Sequence, residues 1–195
     1  MNWGSSTQAQ TYKTALNSVQ HLVQVEDHVK NYRPQILVLS GLPSSRPPLI
    51  DFAYLICKQL SLMVCGHVVK NQLNQRTRSS FNQRMYHWFR LHKIKAFYNL
   101  VDNSGFQGFH SFILFIYLFM SLLIICFYLL FAEGATALMQ LTGLGKMKPN
   151  LALMGYKGDW GVCDDDELDS YFGVIQSVFS TFKFIYFFRA ILFLP

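Results

Sequence analysis

The chain has 195 residues, of which 51% are apolar and only 14% are charged, and its net charge is +6. This length suits one domain, or one domain with a short appendage, and the composition excludes an intrinsically disordered chain. The four cysteines have no C-x-x-C spacing, which argues against a zinc site and a disulfide framework. Residues 1–10 lack the basic and apolar regions of a secretory signal, so we expect a cytosolic start.

The charges are unevenly distributed. No acidic residue lies between Asp51 and Asp102, whereas eight lysines and arginines do, and five acidic residues gather within 164–169. This arrangement predicts two separate charged surfaces, which differs from the continuous basic stripe of a nucleic-acid-binding protein. We therefore expect no nucleic acid partner.

Residues 7–32 predict an amphipathic helix. Apolar side chains recur there at spacings of three and four, and polar residues fill the other positions. Arg33 precedes Pro34, a position that disfavours helical backbone, so the helix should end there. Residues 1–33 thus form the first predicted segment.

A βαβ unit is predicted next. The run 35–40 (QILVLS) is typical of a strand covered on both faces, and residues 49–60 have helical spacing. The run 61–65 (SLMVC) predicts a second strand, which Gly66 would close. Two parallel strands joined by a helix require a crossover, which is expected to be right-handed.

Further strands and helices alternate along the rest of the chain. We predict an exposed basic loop over 70–92, with a short helix near 81–89, and a third strand at 94–98. A helix over 133–141, a strand over 151–156 and a helix over 169–182 follow. The fold class is therefore α/β, an incomplete parallel-sheet domain formed by 34–106 and 133–181.

Two apolar segments interrupt this pattern. Within the insert 107–132, the stretch from Phe112 to Ala132 carries no charge and as a helix would extend about 30 Å, enough to cross a bilayer. The alternative, a buried core helix, would need more surrounding protein than this chain supplies. We predict a membrane span there, and we set 182–195 apart as an apolar tail.

Several motifs that carry chemistry in other proteins are incomplete here. The segment 143–150 (GLGKMKPN) differs from a phosphate-binding loop because Gln140 replaces the first glycine and Met147 replaces the hydroxyl residue. The acidic run 164–169 lacks the spacing of a calcium loop, so we interpret it as a solvated helix start. The histidines form no H-x-x-x-H pair, and no activated nucleophile is apparent. We expect no metal, no cofactor and no catalytic residue.

The basic loop contains candidate phosphorylation sites. Thr77, Ser79 and Ser80 lie beside arginines that would bind a phosphate, which suggests a regulatory kinase as a partner. A plain exposed loop is the simpler interpretation. The same basic residues would also contact anionic lipid headgroups if a membrane were near.

Five blocks in order resemble one protein family. They are residues 1–9 (MNWGSSTQA), 31–35 (NYRPQ), 60–67 (LSLMVCGH), 93–98 (KIKAFY) and 143–150 (GLGKMKPN). Together they are similar to the cytosolic C-terminal domain of the cation-chloride cotransporters, in solute carrier family 12. The start of the chain and Asp51-Phe52 favour the sodium-dependent Na-K-Cl or Na-Cl branch. The resemblance covers about 1–106 and 133–178.

The resemblance implies a function for the parent protein. Such a transporter moves sodium, potassium and chloride together through a core of twelve membrane helices in the plasma membrane, and this region follows that core. It would be an α/β regulatory domain in the cytosol that helps to form the homodimer. The ion-binding residues lie in the membrane helices, so none is carried over to this chain.

The two apolar segments depart from the family pattern. Our hypothesis is that 107–131 and 182–195 are retained intron in an incomplete gene model. One alternative is a single-pass membrane protein with a basic cytosolic half. Another is a nucleotide-binding α/β enzyme, which the lack of G-x-G-x-x-G after Ser40 or Cys65 disfavours. A membrane span at 112–132 would place the two halves of the sheet in different compartments, so the span and the sheet exclude each other.

Overall fold

The computed structural model of the chain describes residues 6–26, 28–58, 60–69, 73–102, 134–158, 161–181 and 184–188. Within these ranges, ten principal elements alternate between helix and strand, beginning with the N-terminal helix. In chain order they are α1 (Ser6–Gln24), β1 (Ile36–Leu39), α2 (Pro47–Cys57), β2 (Met63–Val69), α3 (Gln75–Leu91), β3 (Phe97–Asp102), α4 (134–141), β4 (Leu151–Gly155), α5 (Asp165–Thr181) and β5 (Phe184–Phe188). Short 3₁₀ helices lie at Val29–Asn31 and Pro43–Ser45.

The strands form one sheet in the order β3-β2-β1-β4-β5, and all neighbours are parallel. β1 lies at the centre, where Ile36 is paired with Met63 of β2 on one side and with Leu151 of β4 on the other. The predicted α/β class with a parallel sheet is confirmed. Sequence from before and after the insert 107–132 therefore belongs to the same sheet.

The sheet is covered on both faces. Alternate strand residues point to opposite sides, so Ile36 and Val38 pack with α2 and α3, whereas Leu37 packs with α4 and α5. All three are fully buried. This burial on both faces explains why β1 is a continuous apolar run rather than an alternating one.

The N-terminal helix ends at Gln24, earlier than predicted from the proline at position 34. The amide of Val25 bonds to the carbonyl of Leu22, which tightens the last turn, and the carbonyl of Val25 accepts a hydrogen bond from Lys146 Nζ. A separate short 3₁₀ helix follows at Val29–Asn31, and the His28 side chain caps its start. The helix α1 thus ends before the proline is reached, at the position where Val25 contacts Lys146.

Gly66 does not close β2, contrary to the prediction, because β2 continues to Val69. The strand pairs with β3 through His67, Val68 and Val69. A Cβ atom at position 66 would lie 3.0 Å from Leu138 Cδ1. The glycine therefore provides room for α4 to approach the sheet.

The predicted exposed loop over 70–92 is wrong for most of its length, because residues 75–91 form the 17-residue helix α3. Met85 and Phe89 on this helix are buried against the sheet, and Phe81 and Trp88 are half-buried beside them. Packing of this face stabilises a helix whose first half is almost entirely polar.

The third strand begins three residues later than predicted, at Phe97. Ile94 is buried but lies in the turn after α3, where its amide bonds to the carbonyl of Phe89. The last predicted helix, in contrast, begins earlier, because Asp165 already belongs to α5. Carboxylates near the start of α5 interact favourably with the helix dipole.

The two apolar segments have different outcomes. The predicted membrane span from Phe112 to Ala132 lies outside the described residues. Within the described ranges, every helix is too short or too polar to cross a bilayer. In the tail 182–195, residues 184–188 form β5 at the edge of the sheet, beside β4.

Candidate functional site

A strongly basic surface lies on the outer face of α3. Arg76, Arg84, His87 and Arg90 follow one another at near-helical spacing, and all four side chains are exposed. The buried side chains of α3 lie on the opposite side of the helix, against the sheet. Three arginines that the sequence assigned to a loop, Arg76, Arg84 and Arg90, are therefore arranged on a single helical face.

An ion pair fixes the first turns of this helix to the end of β3. Arg78 Nη2 lies 2.6 Å from Asp102 Oδ1, and Arg78 Nη1 donates to the carbonyl of Leu100 at 2.9 Å. The other carboxylate oxygen of Asp102 accepts a hydrogen bond from the amide of Leu73 at 3.0 Å. Asp102 thus binds both Leu73, which precedes α3, and Arg78 within α3.

The three candidate phosphorylation sites lie in the first half of α3, and their side chains are exposed. Ser79 Oγ donates to the carbonyl of Gln75, one turn earlier, at 3.0 Å. Ser80 lies four residues after Arg76 and four before Arg84, so both guanidinium groups share its side of the helix. Arg78, beside Ser79 in sequence, is already paired with Asp102.

The glycine-rich segment 143–150 contacts both the end of α1 and the start of β1. Gly143 and Gly145 have positive φ, and the backbone of Leu144 and Met147 forms two mutual hydrogen bonds, which makes a tight turn. A Cβ atom at Gly145 would lie 2.8 Å from Val23 of α1. This segment therefore forms a tight turn that packs against α1, which differs from a phosphate-binding loop.

Asn150 completes this connection. Its side chain accepts a hydrogen bond from the amide of Gln35 at 2.9 Å and donates to the carbonyl of Arg33 at 3.0 Å. Gln35 Nε2 in turn donates to the carbonyl of Lys146 at 3.1 Å. These bonds join positions more than 100 residues apart in sequence, which is why sequence inspection did not reveal them.

The carboxyl ends of β1 and β4 meet where the strand order reverses, the usual ligand site of open α/β sheets. The Arg46 side chain lies over Gly155, where an added Cβ atom would be 3.0 Å from Arg46 Nη1. Tyr171 of α5 donates a hydrogen bond to the carbonyl of Gly155 at 3.3 Å. Burial raises the pKa of Tyr171, so the phenol remains the donor at neutral pH.

A polar pair that sequence reasoning missed lies between the sheet and α3. His67 Nδ1 is 2.7 Å from Tyr98 Oη, and the imidazole makes an edge contact with the ring of Phe81. Burial lowers the pKa of His67 and raises that of Tyr98 to about 12. The hydrogen bond therefore joins a neutral imidazole to a neutral phenol, and the tautomer of the imidazole decides which group donates. The register between β2 and β3 brings the two side chains together, and no local motif indicates it.

The acidic run contributes no cluster of metal ligands that the structure describes. Asp164, Asp165 and Asp169 are exposed around the start of α5. Nowhere in the described part of the chain do three or more His, Cys, Asp or Glu side chains gather closely enough to hold a metal ion. These carboxylates are positioned to stabilise the helix start.

The sequence matches one family model over most of the chain. The model of solute carrier family 12 matches residues 46–115 and 121–191. The two matched segments include most of the tail 182–195 and most of the insert 107–132.

Curated relatives agree with this match. The chain is 41% identical over 179 residues to the bumetanide-sensitive sodium-(potassium)-chloride cotransporter of Manduca sexta. It is 38% identical over 179 residues to solute carrier family 12 member 3 of Pseudopleuronectes americanus, and 39% identical over 181 residues to member 2 of Homo sapiens. Each alignment covers 92% of this chain but only 14%, 15% and 13%, respectively, of the relative. The chain therefore belongs to solute carrier family 12.

Proposed function

We propose that the chain is part of the C-terminal regulatory and dimerisation domain of an electroneutral sodium-(potassium-)chloride symporter. The parent would move Na⁺, K⁺ and Cl⁻ across the plasma membrane, and this domain would lie on the cytosolic side. The observation that carries the proposal is that 92% of the chain aligns with a short part, 14%, of a sodium-(potassium)-chloride cotransporter. The described α/β sheet has a hydrophobic core on each face, which suits a separately folded domain of the parent.

The role proposed for this chain is neither transport nor catalysis. In the family that the sequence resembles, ions are bound by the membrane helices, and no position of this chain corresponds to them. The curated relatives are transporters by name, which fits a protein that is not an enzyme. By itself, the chain should therefore produce no chloride-dependent sodium uptake.

Dimerisation is supported by the exposed apolar face of α1. Tyr12 is 70% exposed, and Leu16 and Val23 at helical spacing from it are also exposed. An amphipathic helix whose apolar stripe is largely exposed over the described part of the chain is suited to pack against a partner. In the parent, the partner would be a second copy of the same domain.

Regulation by a kinase is supported by the surroundings of Ser80. A phosphate on this residue would lie one helical turn from both Arg76 and Arg84, neither of which forms an ion pair with a described residue. We expect Ser80 to be a better site than Ser79, whose neighbour Arg78 already binds Asp102. Phosphopeptide mapping after kinase treatment, with Ser80→Ala and Ser79→Ala compared, would test this order.

The parentage is tested at the level of the gene. Twelve apolar spans in frame before Met1 are expected in the upstream genomic sequence, and their absence would contradict the proposal. Transcript sequencing across codons 107–131 tests the intron hypothesis separately. A splice junction there would support that hypothesis, whereas continuous reads would reject it.

A further inference from the structure

The outer face of α3 and the turn after it form a concentrated basic surface. We define it by the exposed side chains of Arg76, Arg84, Arg90, Lys93 and Lys95. The helix presents the three arginines opposite its buried residues, and Lys93 and Lys95 follow directly after the helix ends. We refer to this set as the α3 basic surface.

The α3 basic surface is not neutralised by the described residues. No Asp or Glu occurs in the 50 positions from 52 to 101. Arg78 is paired with Asp102, but none of the five cations of the surface forms an ion pair within the described part of the chain. The positive potential is therefore available to an anionic partner.

A large apolar side chain lies on the same face of the helix. Leu91 is 66% exposed, and it follows Arg84 by seven residues and His87 by four, which places it among the cations of α3. Apolar side chains that project between cations are typical of surfaces that enter the lipid headgroup region.

We propose that the α3 basic surface docks on an anionic bilayer, with Leu91 inserted between headgroups. The inference rests on the proposed function in one respect, because the parent transporter provides the adjacent membrane. An acidic polypeptide would also match the charge. However, the cations lie on a convex helix face, whereas peptides are usually bound in grooves or along free strand edges. The combination of spread charge and an exposed leucine among the cations favours a lipid surface.

The contribution of each cation to membrane partitioning can be measured. A basic residue near an anionic bilayer contributes about 1 kcal/mol, which corresponds to about a fivefold change in partitioning for each charge removed. The effect should weaken as salt is added, because exposed charges are screened over about 8 Å at physiological ionic strength.

The test is flotation of the full 195-residue chain with two kinds of vesicle, one of phosphatidylcholine alone and one containing phosphatidylserine as well. The neutral vesicles measure any binding by apolar segments of the chain. We expect wild-type protein to bind the anionic vesicles more strongly. The double variant Arg84→Gln/Arg90→Gln should lower the ratio of anionic-vesicle to neutral-vesicle partitioning about 25-fold. Circular dichroism of the variant checks that α3 remains folded.

A matched control removes the same net charge elsewhere. Lys13 and Lys30 are exposed outside the α3 basic surface. Lys13→Gln/Lys30→Gln should leave binding within about twofold of the wild type, because distant charges are screened. A similar loss in both double variants would overturn the proposal, since binding would then depend only on net charge.

Two further outcomes would also overturn it. One is equal binding to neutral and anionic vesicles. The other is that the chain binds polyglutamate through Arg84 and Arg90 but does not bind anionic vesicles. This result would identify an acidic polypeptide as the partner. Neither result depends on the genomic test of parentage, so failure of the surface and failure of the proposed function can be distinguished.

Discussion

The guanidinium of Arg78 lies 2.6 Å from the carboxylate of Asp102, and this pair joins the start of α3 to the end of β3. The Asp102 side chain is only 14% exposed and also accepts the amide hydrogen of Leu73. Removal of the carboxylate would therefore leave several partly buried donors without their acceptor.

Asp102→Ala is expected to lower the free energy of unfolding by about 2 kcal/mol, because charged hydrogen bonds of this kind contribute strongly. Urea denaturation followed by circular dichroism measures the change. Asp51→Ala, which removes an exposed carboxylate from α2, is the matched control and should change stability by less than about 0.5 kcal/mol. Equal effects of the two variants would mean that the Arg78–Asp102 pair contributes nothing specific.

Gly143→Ala should be strongly destabilising. Its φ of +111° is rarely adopted by other residues, and an added Cβ atom would lie 2.4 Å from the carbonyl oxygen of Met147. We expect a loss of about 2–4 kcal/mol. Gly158→Ala, at a position where a Cβ atom would meet nothing within 4 Å, should be nearly neutral in the same denaturation experiment. A neutral Gly143→Ala would show that the 143–147 turn can rearrange at little cost.

The half-buried His67 predicts a pH dependence of stability. Burial lowers its pKa below the ordinary value of about 6.5, so the unfolded chain takes up a proton more readily than the folded chain. This contribution to stability is complete above the unfolded-state pKa and is lost as pH falls through the folded-state pKa. Between about pH 7.5 and 5.5, wild-type protein should lose more stability than His67→Gln.

The comparison for this pH effect is His87→Gln, which removes an exposed imidazole from α3. Denaturation midpoints at several pH values should follow the wild-type curve for His87→Gln and a flatter curve for His67→Gln. Parallel curves for all three proteins would exclude a contribution from the His67–Tyr98 pair.

Cysteine reactivity should follow burial. Burial raises the pKa of Cys57 to about 11 and also raises that of Cys65, so both have little thiolate at pH 8. Mass spectrometry after iodoacetamide treatment should show Cys163, which is partly exposed, modified at least about tenfold faster than either. The difference should disappear in denaturant. Rapid labelling of Cys65 in the native protein would contradict its placement in the core.

The central strands could be predicted from sequence because they are buried on both faces. β1 and β4 are uninterrupted apolar runs, and a run of that length has few alternative structures. α3 could not be predicted over its whole length, because its buried residues are concentrated in the second half. Its first half is held by Arg78 and Asp102, which are 24 positions apart. Helix propensity and apolar periodicity depend on residues that are near one another in sequence, so they do not predict a contact such as that between Arg78 and Asp102.

The candidate site shows the same division. The density of basic residues around Ser80 is visible in the sequence, but their arrangement on one helical face depends on α3 being formed. The pairing of His67 with Tyr98 depends on strand register, in which Cys65 is the residue aligned with Tyr98. The first half of β2 is buried on both faces, so its apolar residues do not single out one register with β3.

The central position of β1 has a consequence for shortened products of this gene. One edge of β1 is paired with residues 63–66 and the other with residues 151–154. A polypeptide that stops before Leu151 would leave a row of amide and carbonyl groups in the middle of the former sheet without partners. Such an open edge promotes aggregation, so prematurely terminated chains should be recovered as insoluble material or be degraded.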